Sequence, residues 1–338
     1  MDASRTHFSF PMVKAGPDVQ AAESYRISPD TVVLKAYAQL AFSLDSMIFR
    51  PLRTCLPFIF LPRPFRSIVP PPIFTLIKAD NLRVHTSVPV MDKLYVVDTP
   101  AAVKDAKGIH VLTANSGNGQ AAQIFLEELA EAYGFTWTTT LIDIFTNEQK
   151  KEWFLRLNPN GRIPVLIDNR RNPPFPVHES SAGLLYLFEH EDKEKRFGFK
   201  DELEHSEMLQ WLFFWHGSGA PYLGQLIHFN RAAPEKIDYA ITRFRNESLR
   251  VFGVLEIRLS GRYTGEPRDY LAGTGRGKYS IADIKAWPWV SYWGSCGLTG
   301  KQMEDFPHLL KWIDRVAQRP AVRIGTGFKY NPHEGYKT

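Results

Sequence analysis

The stretch LNPNGRIPVLIDNRRNPPFPVHESSAGLLYLFEH, residues 157–190, decides the fold. It predicts a turn, a strand over RIPVLID, a second short strand and a closing helix. Two details depart from an ordinary strand–turn–helix unit: Pro164 lies at the start of the first strand, and Glu179-Ser180 lies where the helix begins. A proline cannot donate to a sheet, and the first N–H groups of a helix have no partner within the helix. Together these features indicate backbone groups and an acidic side chain that face a ligand.

The flanking residues complete a compact α/β unit. Apolar residues recur at three- and four-residue steps before Gly134, which predicts a helix that ends at this glycine. Asn147 is expected to cap a short helix. In chain order the predicted elements are a strand at 108–114, a helix at 119–134, a strand at 135–144, a helix from Asn147 to Leu155, strands at 162–168 and 175–177, and a helix at 180–190. The order is β-α-β-α-β-β-α.

The chain beyond Glu204 has helical patterns only. One stripe of mainly apolar residues steps by three and four positions over 237–255, which predicts a long helix. In SIAD, residues 280–283, Ser280 and Asp283 form a capping box, in which each side chain bonds the other residue's backbone N–H. A last amphipathic helix is predicted around 309–316. We therefore expect an α/β domain at 107–193 and an all-helical domain at 200–328.

The first 106 residues have a different composition. Twelve of the 24 prolines lie in the first 100 residues, with three in a row at 70–72. Such a density forbids regular helices and sheets over most of the segment, so residues 1–106 are predicted to be an irregular extension. Two interpretations stay open. The segment is either a disordered tail, or even the product of a wrongly predicted gene start, or it is a basic aromatic arm that touches a membrane.

Charge and cysteine content exclude several classes of protein. The formal net charge is +5, and residues 46–79 carry five basic and no acidic side chains, so the remainder is balanced and a nucleic-acid surface is not indicated. Cys55 and Cys296 form no CxxC motif and no disulfide framework, which fits a reducing compartment. The sequence has no metal-ligand cluster and no apolar run of the about 20 residues that a membrane span needs. Without a convincing signal peptide, we expect a cytoplasmic protein.

These elements resemble the glutathione transferases, whose N-terminal domain has the thioredoxin-like order β-α-β-α-β-β-α and whose helical domain has S-x-x-D in its interior. The segments QIFLEEL (123–129), QWLFFWHGSGAPYLGQLIHF (210–229) and RVFGVLEIRL (250–259) look most like the nu-class enzymes and the yeast nitrogen-repression regulator of the same fold. The likeness covers about residues 108–325. It implies a thioredoxin-like glutathione-binding domain, an all-helical domain on the second-substrate side, and a homodimer.

The resemblance assigns the quoted stretch to glutathione. The bond Ile163-Pro164 would be cis, which exposes the N–H and C=O of Ile163 for pairing with a peptide ligand. The helix N-terminus and the Ser180 hydroxyl would bind the γ-glutamyl carboxylate, and Glu179 would pair with the ammonium group. The alternative interpretation of Glu179-Ser180 is an ordinary N-terminal cap.

The loop after the first strand, residues 113–119, contains neither a tyrosine nor a cysteine, so a mixed disulfide on the protein is not expected. The nu-like pattern has a hydroxyl residue and an asparagine two positions apart, which Ser116 and Asn118 match. A free thiol has a pKa of about 8.5, and two hydrogen bonds to the sulfur would lower it. The alternative is that Asn118-Gly119 is only a turn and helix cap. Gly117 stands where the relatives usually have proline, which is expected to loosen the loop.

Further site residues follow from the resemblance. Gln149 matches a contact to the glycyl end of glutathione, and Arg162 is either a second such contact or a solvated charge. Phe214, His216 and Tyr222 are expected on the wall that faces the second substrate, with helical core as the alternative.

The resemblance leaves three functions open. The preferred one is a glutathione transferase, in which the stabilised thiolate of the co-substrate attacks an electrophilic small molecule, in detoxification or a step of secondary metabolism. The second is a glutathione-dependent disulfide reductase of the nu type, in which two glutathiones share the site and no protein cysteine reacts. The third is a non-catalytic regulator that binds glutathione. None of the three requires a metal.

Overall fold

The computed structural model describes residues 94–331, and most of the predicted extension, residues 1–93, lies outside this range. The first domain contains, in chain order, α1 (Ala101–Lys104), β1 (Ile109–Thr113), α2 (Gly117–Tyr133), β2 (Trp137–Leu141), a 3-10 turn (Glu148–Lys150), α3 (Glu152–Leu157), β3 (Val165–Asp168), β4 (Phe175–Val177) and α4 (Ser180–His190). From β1 onward the predicted order is confirmed, although β2 and β3 are shorter than predicted.

The four strands form one mixed sheet in the order β2-β1-β3-β4. β1 pairs parallel with β2 and antiparallel with β3, which pairs antiparallel with β4. The parallel pair needs a crossover connection, which α2 supplies. Because side chains alternate along a strand, Ile109 and Val111 pack with α2, while Leu112 packs on the opposite face with Trp153. This is the thioredoxin-like arrangement that the sequence predicted.

The first domain begins before the predicted boundary at residue 106. Leu94 and Val103 are buried in the same cluster as Leu112 and Trp153, so residues on both sides of α1 belong to the core. The proline count placed the boundary too late. Pro100 lies directly before α1, where its missing N–H removes no helical hydrogen bond.

Two predicted helix starts are wrong. α2 begins at Gly117 rather than at residue 119, because the Ser116 side chain caps it by accepting from the N–H of Gly119 at 3.2 Å. Asn147 has a φ of 59° and its side chain caps no helix in the described part of the chain. The chain there forms a 3-10 turn first, and α3 begins only at Glu152.

The second domain is helical throughout. Its elements are α5 (Glu202–Phe214), a π-helical turn (Trp215–Gly219), α6 (Ala220–Ile227), a second π-helical turn (His228–Ala232), α7 (Asp238–Ser260), α8 (Ile281–Val290), α9 (Gly300–Met303), α10 (Pro307–Ala317), α11 (Pro320–Gly325) and a 3-10 turn (Phe328–Tyr330). The predicted long helix is α7 and the predicted amphipathic helix is α10. Within the described residues, no helix is both long and apolar enough to cross a membrane.

Helix α8 joins the two domains. It packs against α2 and α4 of the first domain and against α5, α6 and α10 of the second. Its start is the predicted capping box, in which Asp283 Oδ2 accepts from the N–H of Ser280 at 3.1 Å. The other carboxylate oxygen accepts from the N–H of Leu271 at 3.1 Å and from Nε1 of Trp312 at 2.9 Å. The fully buried Asp283 therefore links α8 to α10 and to the loop that precedes α8.

Candidate functional site

A cavity of about 650 Å³ lies between the two domains, within the range of about 300–1,000 Å³ that is usual for ligand sites. It is bounded by the start of α2, the loop before β3, the start of α4, and residues of α6 and α8. Nine predicted site residues line it: Ser116, Asn118, Gln149, Arg162, Ile163, Pro164, Glu179, Ser180 and His216. The strand edge and the helix start of the 157–190 stretch thus face one space.

The strand edge in this cavity is formed by Ile163. The Ile163-Pro164 bond is cis, as the resemblance implied. No hydrogen bond from a described residue engages the N–H or the C=O of Ile163. The preceding carbonyl, that of Arg162, accepts from Nδ2 of Asn158 at 2.8 Å, which fixes the turn. Within residues 94–331, therefore, both peptide groups of Ile163 are unpaired next to the cavity.

Glu179 precedes α4 but is not an ordinary cap. Its side chain bonds none of the first N–H groups of α4, and its φ of 67° lies in the left-handed region that is uncommon for a non-glycine residue. Oε1 accepts from Nδ2 of Asn160 at 3.3 Å, and Oε2 lies 3.6 Å from Nε2 of His216. The cap interpretation is therefore wrong. Backbone strain of this kind concentrates at functional sites.

His216, which was predicted on the helical wall that faces the second substrate, lines this cavity from the second domain. Its Nδ1 lies 3.0 Å from Oγ of Ser181. Burial and the nearby Lys285 lower the pKa of His216 below its ordinary value of 6.5, against the effect of Glu179. His216 lies in the π-helical turn Trp215–Gly219, whose wider winding changes side-chain directions relative to an α-helix.

Asn118 lies in the first turn of α2 at the centre of a polar cluster. Its Oδ1 accepts from Nζ of Lys285 at 2.7 Å, from Nε1 of Trp289 at 3.2 Å and from Oγ of Ser180 at 3.3 Å. Lysine and tryptophan nitrogens only donate, so the contacted atom is the amide oxygen. The Nδ2 group of Asn118 is thereby left as a donor, and no described residue bonds to it.

The loop that leads to Asn118 is fixed by two neighbours. Ser116, not Asn118-Gly119, is the helix cap; its oxygen accepts from Gly119, so its O–H remains free to donate. Gly117, which was expected to loosen the loop, allows a close contact with Trp289. A Cβ at Gly117 would lie 2.6 Å from the Trp289 indole, so the glycine lets Trp289 pack directly on the loop.

Lys285 is a site residue that the sequence analysis missed. Its side chain is 1% exposed, lines the cavity, and donates to Oγ of Ser180 as well as to Asn118. Burial lowers the pKa of Lys285 to about 7, against the opposite effect of Glu179. One signal was available. In IADIKAWPWV every residue except Asp283 and Lys285 is apolar, so the sequence predicts no polar face on which the lysine could reach water.

Gln149 and Arg162 are the remaining predicted contacts. Nε2 of Gln149 donates to the C=O of Ile144 at 3.2 Å, while its Oε1 is buried without a partner among the described residues. A buried orphan acceptor of this kind is rare and fits a ligand N–H. Arg162 is exposed, and no described residue pairs with its guanidinium group, which is therefore available to an anion.

A second cavity of about 570 Å³ adjoins the first and shares Ser116, Ile144 and Trp289 with it. Its lining is mainly apolar, from Ile142, Phe145, Ile227, Pro288 and Tyr292 among others. The predicted wall residues Phe214 and Tyr222 line neither cavity. They pack, partly buried, against the helical core, so the core alternative was correct for them.

A reactive cysteine or a bound metal ion could also supply chemistry at a site of this kind. Cys296 lines the second cavity but is fully buried, and burial raises the pKa of its thiol to about 12, so it is a poor nucleophile. Among residues 94–331, no group of three or more histidine, cysteine, aspartate or glutamate side chains is arranged to hold a metal ion.

Two family models match the chain: the glutathione S-transferase N-terminal domain over residues 112–189 and the C-terminal domain over residues 223–320. A glutathione S-transferase domain-containing protein of Dictyostelium discoideum is 33% identical over 229 residues, which are 65% of this chain and 83% of the relative. The disulfide-bond oxidoreductase YfcG of Escherichia coli is 36% identical over 217 residues, which are 63% of this chain and 92% of the relative.

Solved structures agree with this match. The solved structure of Ure2p in complex with glutathione has a TM-score of 0.58 at 31% identity, over 64% of this chain and 97% of the chain in that structure. The glutathione transferase URE2P6 of Phanerochaete chrysosporium, in complex with oxidized glutathione, has a TM-score of 0.58 at 35% identity, over 66% and 96% of the two chains. The chain belongs to the glutathione S-transferase family. Within that family it is similar to Ure2p and to fungal transferases related to Ure2p.

Proposed function

We propose that this protein is a glutathione transferase that binds glutathione in the larger cavity and stabilises its thiolate at Asn118. The observation that carries the proposal is that three complementary groups converge on this cavity. They are the unpaired peptide edge of Ile163, the carboxylate of Glu179 and the amide donor of Asn118. Glutathione carries a matching peptide backbone, an ammonium group and a thiol.

Each end of glutathione has a partner in this arrangement. Ile163 pairs with the peptide backbone as an added strand would. Glu179 pairs with the glutamyl ammonium group, and the free backbone N–H groups at the start of α4, that of Ser180 first, bind the glutamyl carboxylate. The orphan Oε1 of Gln149 accepts a peptide N–H, and Arg162 pairs with the glycyl carboxylate.

The sulfur is activated by hydrogen bonds. Nδ2 of Asn118 and the O–H of Ser116 donate to the thiolate, and the N-terminus of α2 adds positive potential. Lowering a thiol pKa by one to two units requires about 1.4–2.7 kcal/mol, which two hydrogen bonds to a charged acceptor supply. The thiolate then attacks an electrophile in the second cavity. A C–S bond forms, and the leaving group departs with its bonding electrons.

Disulfide reduction is the second candidate function. It is supported by the likeness to YfcG, which is named a disulfide-bond oxidoreductase, and by the likeness to a transferase with oxidized glutathione bound. In this reaction the thiolate attacks one sulfur of a disulfide and releases a thiol. A second glutathione then attacks the mixed disulfide, releasing the second thiol and oxidized glutathione, without a protein cysteine.

Initial rates with two substrates test the proposal. Wild-type protein is expected to conjugate a chlorinated nitrobenzene with saturation in glutathione. Asn118→Ala is expected to lose roughly 10- to 100-fold in kcat/KM, since a hydrogen bond to a charged group is lost. Asn246→Ala, the same substitution at an exposed position on α7, serves as the matched control and is expected to keep the rate.

The other outcomes are equally informative. Consumption of hydroxyethyl disulfide without conjugation would establish the reductase instead. Glutathione binding without either activity would establish a non-catalytic regulator. Failure of the wild type to bind glutathione would refute all three.

Several attributes come from the resemblance alone and belong to the same proposal. They are a homodimer, a cytoplasmic location, and a role in detoxification or secondary metabolism. Sedimentation of the full chain tests the dimer, and product analysis with candidate electrophiles tests the role.

A further inference from the structure

Lys285 places a buried amino group in contact with Asn118, the proposed donor to the sulfur. Its Nζ bonds two side chains from two other helices, Oδ1 of Asn118 on α2 at 2.7 Å and Oγ of Ser180 on α4. With 1% of its surface exposed, Lys285 makes no ion pair with any described residue. Burying an unpaired ammonium group is costly, so a fold that contains one has a reason other than stability.

The hydrogen bonds of Lys285 do not account for its charge. Both of its acceptors are neutral, and Oδ1 of Asn118 also accepts from Trp289 and from Ser180. An apolar side chain of similar length would fill the same volume and leave Asn118 with two donors. The ammonium group also has three hydrogens, of which these contacts use two. What the surrounding protein leaves unexplained is the positive charge and the third donor.

Two titratable groups face Lys285 across the cavity. The carboxylate of Glu179 raises the pKa of Lys285, and His216 is close enough that Lys285 lowers its pKa. Burial dominates and brings the pKa of Lys285 to about 7, so a bound anion next to it would favour the charged form. By linkage, the charged form favours the anion to the same extent.

We propose that Lys285 is a positioning residue for the sulfur of glutathione. Its ammonium group holds Oδ1 of Asn118, so that Nδ2 of Asn118 faces the sulfur, and its charge stabilises the thiolate. This inference rests on the proposed function. It assigns the activating charge to the second domain, 167 residues along the chain from Asn118. The loop that carries Asn118, residues 113–119, has no tyrosine or cysteine that could activate the thiol.

The test compares Lys285→Met with Lys285→Arg and with Lys311→Met, the matched substitution at an exposed position on α10. Thiolate absorbance of protein saturated with glutathione is followed against pH. In Lys285→Met the midpoint is expected to rise by about one pH unit, which is about tenfold less thiolate at a fixed pH below it. Lys285→Arg is expected to recover part of the shift, and Lys311→Met to show none.

Affinity separates the sulfur role from a role at the glutamyl carboxylate. S-methylglutathione has no ionisable thiol, so its dissociation constant in Lys285→Met is expected to stay within about threefold of the wild type. An equal loss of affinity for glutathione and S-methylglutathione would assign Lys285 to the carboxylate and overturn the proposal. So would an unchanged midpoint.

Failure of the inference and failure of the proposed function give different results. A wild type that does not bind glutathione refutes the proposed function. A wild type that binds it, with the same thiol midpoint in Lys285→Met, refutes only the role of Lys285. Melting temperatures establish that the variants are folded. If Lys285→Met does not fold, Lys285→Gln is measured in its place, with a rise that is smaller than that expected for Lys285→Met because glutamine keeps a neutral donor.

Discussion

Asp283 and Lys285 lie two residues apart on α8, and both are buried ionisable side chains. Asp283 is surrounded by donors from Leu271, Ser280 and Trp312. Lys285 has two neutral acceptors and faces a cavity. Burial of a charged group is therefore no sign of function by itself. The two residues differ in whether the protein satisfies the group or leaves part of its bonding capacity for a ligand.

The difference continues along two faces of α8. Trp287, one turn after Asp283, donates to the C=O of Ile313 at 2.9 Å and so contacts α10. Trp289, one turn after Lys285, donates to Asn118. Residues four apart share a helix face, so one face of α8 fastens the second domain and the other contributes to the site.

The largest expected effect comes from removing Asp283. Asp283→Ala leaves several buried donors without an acceptor, which is expected to lower the free energy of unfolding by roughly 3–5 kcal/mol. Denaturant unfolding measures it. Asp314→Ala, at an exposed position on α10, is the control and is expected to change stability by less than about 0.5 kcal/mol. Equal losses in Asp283→Ala and Asp314→Ala would show that buried Asp283 has no special structural role and would contradict its contrast with Lys285.

Gly117→Ala tests the cavity-facing side of α8. The new methyl group would collide with Trp289, since a Cβ lies 2.6 Å from the indole. Overpacking is expected to cost about 1–3 kcal/mol of stability and to weaken glutathione binding by displacing Asn118. Gly183→Ala, on α4, is the matched control because a Cβ there meets nothing within 4 Å, and it is expected to stabilise by about 0.4–1 kcal/mol. Unchanged glutathione affinity in Gly117→Ala would remove Trp289 from the site.

The pH dependence of the free energy of unfolding gives the smallest effect that distinguishes Asp283 from Lys285. As pH rises, the contribution of Asp283 falls and that of Lys285 grows. Burial raises the pKa of Asp283 from 3.8 to about 6, against its hydrogen bonds. Its contribution is therefore full below pH 3.8 and is lost as pH rises through 6. Burial lowers the pKa of Lys285 from 10.5 to about 7, so its contribution is full above pH 10.5 and is lost as pH falls through 7.

Variant differences measure both slopes in the protein without ligand. Relative to Asp283→Asn, the wild type is expected to lose free energy of unfolding as pH rises from about 4 to 6. Relative to Lys285→Met, the wild type is expected to gain free energy of unfolding as pH rises from about 7 to 10. A slope of the same sign in both ranges would contradict the contrast between the two residues.

Features that depend on neighbouring residues were predictable from the sequence. The capping box requires only Ser280 and Asp283 at a three-residue spacing, and the apolar period of α2 is local as well. The cis bond at Pro164 and the position of Glu179-Ser180 at a helix start were predicted from the resemblance. They could be recognised because the residues of this motif lie in one continuous stretch of sequence. For these features the structure agrees with the sequence analysis.

Features that depend on distant packing were not predictable. The contacts of Lys285 and Trp289 with Asn118 join residues 167 and 171 positions apart, and no local pattern encodes them. The resemblance placed Phe214 and Tyr222 on the cavity wall, but their directions depend on how α5 and α6 pack. The direction of His216 likewise depends on the π-helical turn in which it lies.

The most direct measurement is a calorimetric titration of glutathione into the wild type and into a Ser116→Ala/Asn118→Ala double variant, with thiolate absorbance followed in parallel. Binding by both proteins is expected, with the thiolate signal present in the wild type and lost in the double variant. Absence of binding by the wild type, or a thiolate signal that survives in the double variant, would contradict a sulfur site built on Asn118.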